Sequence, residues 1–167
     1  MLFAYQKPLC GKSVGIVFGS FCPLHQGHLD MILRAKKEND GGCIVIVCGF
    51  EGDKGEPRMP HDLRYRYVRE FFADDDLVAV YAINDSELGI AMYPNGWNEW
   101  LMEFRRIWDI AVGSRDAKRV WYVGEEEYTL ARYPNDTGDI NDLLYFEYVY
   151  DTGSVTSTAC LVYWPWV

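Results

Sequence analysis

His25 and His28 are two of the three histidines in this 167-residue chain, and both lie in one turn, Gly19-Ser20-Phe21-Cys22-Pro23-Leu24-His25-Gln26-Gly27-His28. An apolar run, Ser13-Val14-Gly15-Ile16-Val17-Phe18, leads into the turn, and a helical pattern leads out of it. Such a turn suits phosphate. A helix start leaves N–H groups without carbonyl partners and carries a partial positive charge. Gly19 permits a tight exit from the strand, and Gly27 lets a ligand approach the backbone closely. The imidazoles add donors aimed at the same oxygens, and charge if they are protonated. Two other readings use the same residues. The histidines are ordinary polar members of a first helical turn, or Cys22, His25 and His28 face one zinc ion. No further Cys or His pair lies nearby to complete a structural zinc site, and the glycines and strand context favour phosphate.

The rest of the pattern supplies the elements that must hold this turn. Leu29, Ile32, Leu33 and Ala35 recur at helical spacing, Lys36 and Lys37 suit the end of that helix, and Asn39-Asp40-Gly41-Gly42 stops it. Cys43 to Cys48 is a continuous apolar run, which suits a strand covered on both faces. Residues 61–72 read as a helix with Leu63, Tyr67, Val68 and Phe71 on one side, and 77–83 as a third strand. Residues 84–96 read as irregular. Residues 97–112 suit a helix with Trp97, Leu101, Phe104, Trp108 and Ala111 on one face. Residues 119–124 and 143–150 read as further strands, with a short helix over 125–132 and an aromatic tail after it. Strands alternating with helices predict an α/β fold, a doubly wound parallel sheet of about five strands. Ligands in such sheets bind at the carboxyl ends of the strands, so the informative turns follow Phe18, Val47, Ile83, Val123 and Tyr150.

Composition narrows the partners. The formal net charge is -9, which disfavours a nucleic-acid backbone or an anionic membrane surface and favours a small-molecule substrate. The five cysteines, with no visible signal peptide and no run long enough for a membrane span, read as free thiols in a cytoplasmic protein. The length suits a single domain over residues 1–167, with 1–12 as a tail. Gly11-Lys12-Ser13 imitates the end of a P-loop, but Gln6 stands where its first glycine is required and a strand follows where a helix should begin. No kinase domain and no helix-turn-helix is therefore expected.

The turn resembles the G-x-F-x-P-x-H-x-G-H signature of the nucleotidylyltransferase superfamily, with Gly19, Phe21, Pro23, His25, Gly27 and His28 at the fixed positions. Its Pro-Leu-His form is similar to that of the NadR-type nicotinamide-mononucleotide adenylyltransferases. So are the arginine-bearing segment with Arg64, Arg66 and Arg69, the segment Tyr93-Pro94-Asn95-Gly96-Trp97-Asn98-Glu99-Trp100, the run Val123-Gly124-Glu125-Glu126-Glu127-Tyr128, and the pair Tyr163-Trp164. The chain departs from the superfamily's Ser-x-Thr-x-x-Arg motif. Thr156, Ser157 and Thr158 are present, but Leu161 stands where the arginine belongs, and Lys54, Arg58 and Arg64 are candidate substitutes for its charge.

The resemblance implies a Rossmann-like fold and an adenylyl transfer in which nicotinamide mononucleotide and ATP, with Mg2+, give NAD and pyrophosphate. It implies that His25 and His28 act on the ATP phosphates, and that Gly19, Ser20, Phe21, Gly27, Gly124, Thr156, Ser157 and Thr158 bind ATP. Trp97, Trp100 and Arg64 are candidates for the nicotinamide nucleotide. For the two tryptophans, a core role at helical spacing is the alternative. The resemblance also leaves room for a homo-oligomer. Competing readings are a nucleotidylyltransferase using CTP or another phosphate acceptor, and a nucleotide-binding protein weakened by Leu161.

Overall fold

The computed structural model describes residues 5–49, 59–91, 96–114, 116–123 and 146–150. Five parallel strands, β1 (Ser13–Gly19), β2 (Cys43–Val47), β3 (Val78–Ala82), β4 (Lys118–Val123) and β5 (Phe146–Tyr150), form one sheet in the order β3-β2-β1-β4-β5. Between them run α1 (Gln26–Glu38), α2 (His61–Phe71), the one-turn α3 (Asp85–Leu88) and α4 (Trp97–Ala111). The chain winds outward from β1 to β3, then crosses back to lay β4 on the other side of β1, with Ile16 opposite Ile44 and Trp121. The expected α/β, Rossmann-like doubly wound sheet is what forms, and its strand order reverses beside β1.

Side-chain alternation on the strands sorts the core into two layers. Ile32 and Ala35 of α1 and Val68 of α2 pack with Val17, Val45, Val47 and Val80 on one face. On the other, Leu101, Phe104, Ile107 and Trp108 of α4 pack with Ile16, Ile44, Ile46 and Trp121. Every residue of β2 is buried, because helices cover both of its faces, and this is why its sequence shows no polar alternation. Gly15 lets α1 lie close on β1. A Cβ there would sit 2.9 Å from the Ala35 Cβ and 3.0 Å from the Asn39 Nδ2. At the border of the sheet, the Gln6 side-chain amide accepts from the Val80 N–H at 2.7 Å and donates to the Val80 carbonyl at 2.8 Å.

Two expectations need correction. The buried side of α2 is not the stripe with Tyr67 and Phe71, which are 48% and 59% exposed. It carries His61, Arg64, Val68 and Arg69, so polar side chains take the inner face. Segment 84–96 is not wholly irregular. The Asn84 side chain accepts from the Glu87 N–H at 3.1 Å, and Gly89 closes α3 in the left-handed region.

Gly15→Ala is expected to destabilise the fold by about 1–3 kcal/mol through overpacking. Urea unfolding checks this: the midpoint should fall with the slope unchanged.

Candidate active site

The turn between β1 and α1 is held by its own histidines. His25 is the N-cap of α1, with extended backbone at φ −141 and ψ 177. Its Nδ1 accepts from the His28 N–H at 3.4 Å, and the His28 Nδ1 accepts from the His25 N–H at 3.2 Å. This is a capping box with both acceptor positions filled by imidazole. The two rings stack at 3.6 Å between centroids and 15° between planes, and Phe21 lies edge-on to His28 at 4.7 Å. Phe21 itself is buried at a φ of 50, an uncommon conformation for a bulky residue. The positive φ of this turn thus falls on the residue that packs against the histidines, and not on Gly19.

These bonds assign the tautomers. A ring whose Nδ1 accepts a backbone N–H carries its proton on Nε2, so both imidazoles are neutral Nε2–H donors. Burial and the opposing ring agree. Desolvation, followed by the facing His25, pushes His28 down to about 3, and burial also lowers His25. The added positive charge considered from sequence is therefore absent while the crevice holds no anion. The His25 Nε2 is buried and has no hydrogen-bond partner among the described residues. An orphaned buried donor costs free energy unless a ligand supplies an acceptor. Gln26 and Gly27, in the first turn of α1, add N–H groups without intrahelical partners.

The ends of β2 and β3 complete the neighbourhood. Gly49 follows β2 at a φ of 100, and its N–H donates to the Asp85 Oδ2 at 3.2 Å. The His61 Nε2 donates to the Val47 carbonyl at 2.8 Å. Arg64 is fully buried, with its Nη1 donating to the Ser20 and Cys48 carbonyls at 2.8 and 2.9 Å. Its Nε and Nη2 reach the carbonyls of Met59 and Gly49 at 3.0 and 3.3 Å. Cys48, Gly49, His61 and Asp85 were not singled out from sequence as site residues, although three of them follow Val47 and Ile83, where the fold marks the turns as informative.

Of the expected site residues, the structure brings Gly19, Ser20, Phe21, His25, Gly27 and His28 together at the carboxyl end of β1. Arg64 lies beneath the same turn, buried and not on the surface. Trp100 is in the core, 5.2 Å from Phe18 and 6.0 Å from Phe104 between ring centroids. Trp97 opens α4, and its side chain lies outside the described residues. Gly124, Thr156, Ser157, Thr158, Leu161, Lys54 and Arg58 also lie outside them. Among the described residues, no three His, Cys, Asp or Glu side chains are grouped to hold a metal ion, so Cys22 does not join the histidines as a third ligand. Cys10, Cys22, Cys43 and Cys48 are free thiols, and burial pushes Cys43 and Cys48 well up from the usual thiol range. No helix among the described residues is long and apolar enough to cross a membrane.

The fold and part of the sequence are shared with known proteins. The cytidylyltransferase-like family matches residues 16–151, a span that includes the histidine turn and all but the first residues of the sheet. The chain belongs to that family. Within the nucleotidylyltransferase superfamily it stands near NadR. It is 31% identical to the trifunctional NAD biosynthesis/regulator protein NadR of Escherichia coli (strain K12) over 100 residues, 53% of this chain and 23% of that protein. The crystal structure of NadR protein in complex with NAD and AMP-PNP superposes with a TM-score of 0.67 at 32% identity, covering 87% of this chain and 40% of that one. A bifunctional NMN adenylyltransferase/ADP ribose pyrophosphatase from Francisella tularensis shares the fold at a TM-score of 0.55 and 14% identity, over 83% of this chain and 36% of that one. The chain thus spans less than half the length of each of these relatives.

The histidine pair makes stability pH-dependent. Both imidazoles bind protons less readily in the folded protein than in the unfolded chain, so their contribution is complete above about pH 6.5, the ordinary histidine value, and declines as pH falls toward 3. The melting temperature should therefore drop between pH 7 and pH 5. The double variant His25→Asn/His28→Gln rewrites the capping box without titrating groups, and its melting temperature should be nearly flat over that interval.

Proposed function

We propose that this chain is an adenylyltransferase that joins ATP and nicotinamide mononucleotide to give NAD and pyrophosphate. The observation that carries this reading is the buried His25 Nε2–H, without a partner among the described residues and set beside the His28 ring at the start of α1. A phosphate oxygen satisfies that donor and meets the N–H groups of the same helix turn. Membership of the cytidylyltransferase-like family and a relative crystallised with NAD and AMP-PNP support the choice of substrates.

In this reaction a phosphate oxygen of nicotinamide mononucleotide attacks the α-phosphorus of ATP. The bond from that phosphorus to the bridging oxygen breaks, and pyrophosphate leaves with the electron pair. The attacking oxygen is already anionic, so no general base is required. The protein's work is to align the groups and to stabilise charge on the leaving pyrophosphate. His25 and His28 do this as neutral donors. The basic nitrogen of each ring already accepts a backbone N–H, so neither ring takes up a proton without losing a bond that caps α1. The backbone at Ser20, Phe21 and Gly27 is assigned to the α-phosphate. Gly124, Thr156, Ser157 and Thr158 are assigned to the nucleotide, and Trp97 to the nicotinamide end, by resemblance alone; Trp100 is left to the core that holds it. The described groups at the turn are N–H donors, which suit phosphate oxygens and not a cation. Magnesium would enter on the triphosphate with its own waters and supply charge neutralisation there.

Incubation with ATP, magnesium and nicotinamide mononucleotide should yield NAD. His28→Ala should lower turnover by about 100-fold or more, the loss of roughly 3 kcal/mol expected when one transition-state donor is removed. Unchanged turnover in a folded His28→Ala protein rules out this role. Because the matched family is described as cytidylyltransferase-like, the same assay with CTP in place of ATP, reading pyrophosphate, is the second arm.

A further inference from the structure

We propose that Arg64 is a positioning residue for the phosphate-binding turn, acting through backbone carbonyls and not by touching the nucleotide. This rests on the nucleotidyl-transfer reading above. A guanidinium is costly to bury unless its donors are satisfied, and Arg64 is fully buried. Among the described residues it donates to four carbonyls from three stretches of chain: Ser20 after β1, Cys48 and Gly49 after β2, and Met59 before α2. A packed apolar side chain would serve a purely structural core at lower cost. What the planar fork adds is direction, because it holds each carbonyl along a defined line.

Direction matters in this turn. In a trans peptide the carbonyl and the following N–H point opposite ways. Holding the Ser20 carbonyl toward Arg64 therefore turns the Phe21 N–H away from it. The same logic is visible one loop over. The Cys48 carbonyl faces Arg64, and the next N–H, that of Gly49, donates to the Asp85 Oδ2 on the other side at 3.2 Å. The two loops also touch directly, since a Cβ on Gly49 would lie 2.8 Å from the Ser20 Oγ. Arg64 and the close approach of Gly49 thus brace Ser20 from two sides. Phe21, which follows Ser20, packs on His28.

The test compares the unaltered protein with Arg64→Lys, Arg64→Met and Gly49→Ala. Each is titrated calorimetrically with an ATP analogue bearing a methylene between the α- and β-phosphorus, well below its own melting temperature. Steady-state turnover with ATP and nicotinamide mononucleotide is measured alongside. Both Arg64 variants should bind the analogue at least about tenfold more weakly, with the KM for nicotinamide mononucleotide little changed. Lysine should fail to rescue, because one ammonium does not span the four carbonyls. Gly49→Ala, which changes no charge, should weaken binding in the same direction. Variants that melt lower yet bind the analogue normally would overturn the proposal in favour of a structural role. Rescue by Arg64→Lys would overturn it in favour of a charge acting on the ligand. If neither Arg64 variant folds, Gly49→Ala decides, and normal affinity there overturns it. Failure of the unaltered protein to bind the analogue would sink the nucleotide reading, and this inference with it, before any substitution is considered.

Discussion

Two reciprocal hydrogen bonds at the head of α1 constrain the whole site. Each imidazole accepts the other residue's backbone N–H, and that exchange settles four things together: where the helix begins, which ring nitrogen carries a proton, how the rings face each other, and which donor is left over. Serine, threonine or aspartate at an N-cap would start the helix as well. They would not leave a second, rigidly aimed N–H behind. A residue pair that caps a helix on one side of the ring and donates from the other makes secondary structure and ligand recognition one arrangement.

Topology explains why the pair is where it is. β1 is central, flanked by β2 and β4, and its carboxyl end opens at the point where the winding reverses. Helices α1 and α2 pack on one face of the sheet and α4 on the other. The loops after β1, β2 and β3 converge there. They are tied by Arg64, by Gly49 against Ser20, and by Asp85 on the Gly49 N–H. The chain's net charge of -9 disfavours anions at long range. On the proposed function, recognition of a polyphosphate would come from short-range, oriented dipoles, and the turn contains such dipoles.

Legibility in the sequence followed locality. Continuous apolar runs gave β1 and β2, because a strand covered on both faces needs apolar residues throughout. The histidine turn was visible from its glycines and its place after a strand. The buried side of α2 was not, because the stripe of Tyr67 and Phe71 looks like the core face by hydropathy. The true inner face holds His61 and Arg64, whose partners, the Met59 carbonyl apart, are carbonyls 14 to 44 residues away in sequence. No window of neighbouring residues encodes such partners. The helix α3 was missed for another reason: its signals, Asn84, Glu87 and Gly89, were present but span a single turn, too short for apolar periodicity to register. The protonation state of the histidines also lay beyond sequence, since it depends on which nitrogen meets the backbone.

The Gln6 side chain has a consequence beyond the nucleotide. β3 borders the sheet in the described structure, and a parallel border strand presents unpaired main-chain groups that can template a foreign strand. By answering both the N–H and the carbonyl of Val80, a single primary amide imitates one residue of a sixth strand and then stops. Sheet growth is quenched at its middle register without a further strand. A main-chain N–H and carbonyl already answered in this way are closed to a foreign strand.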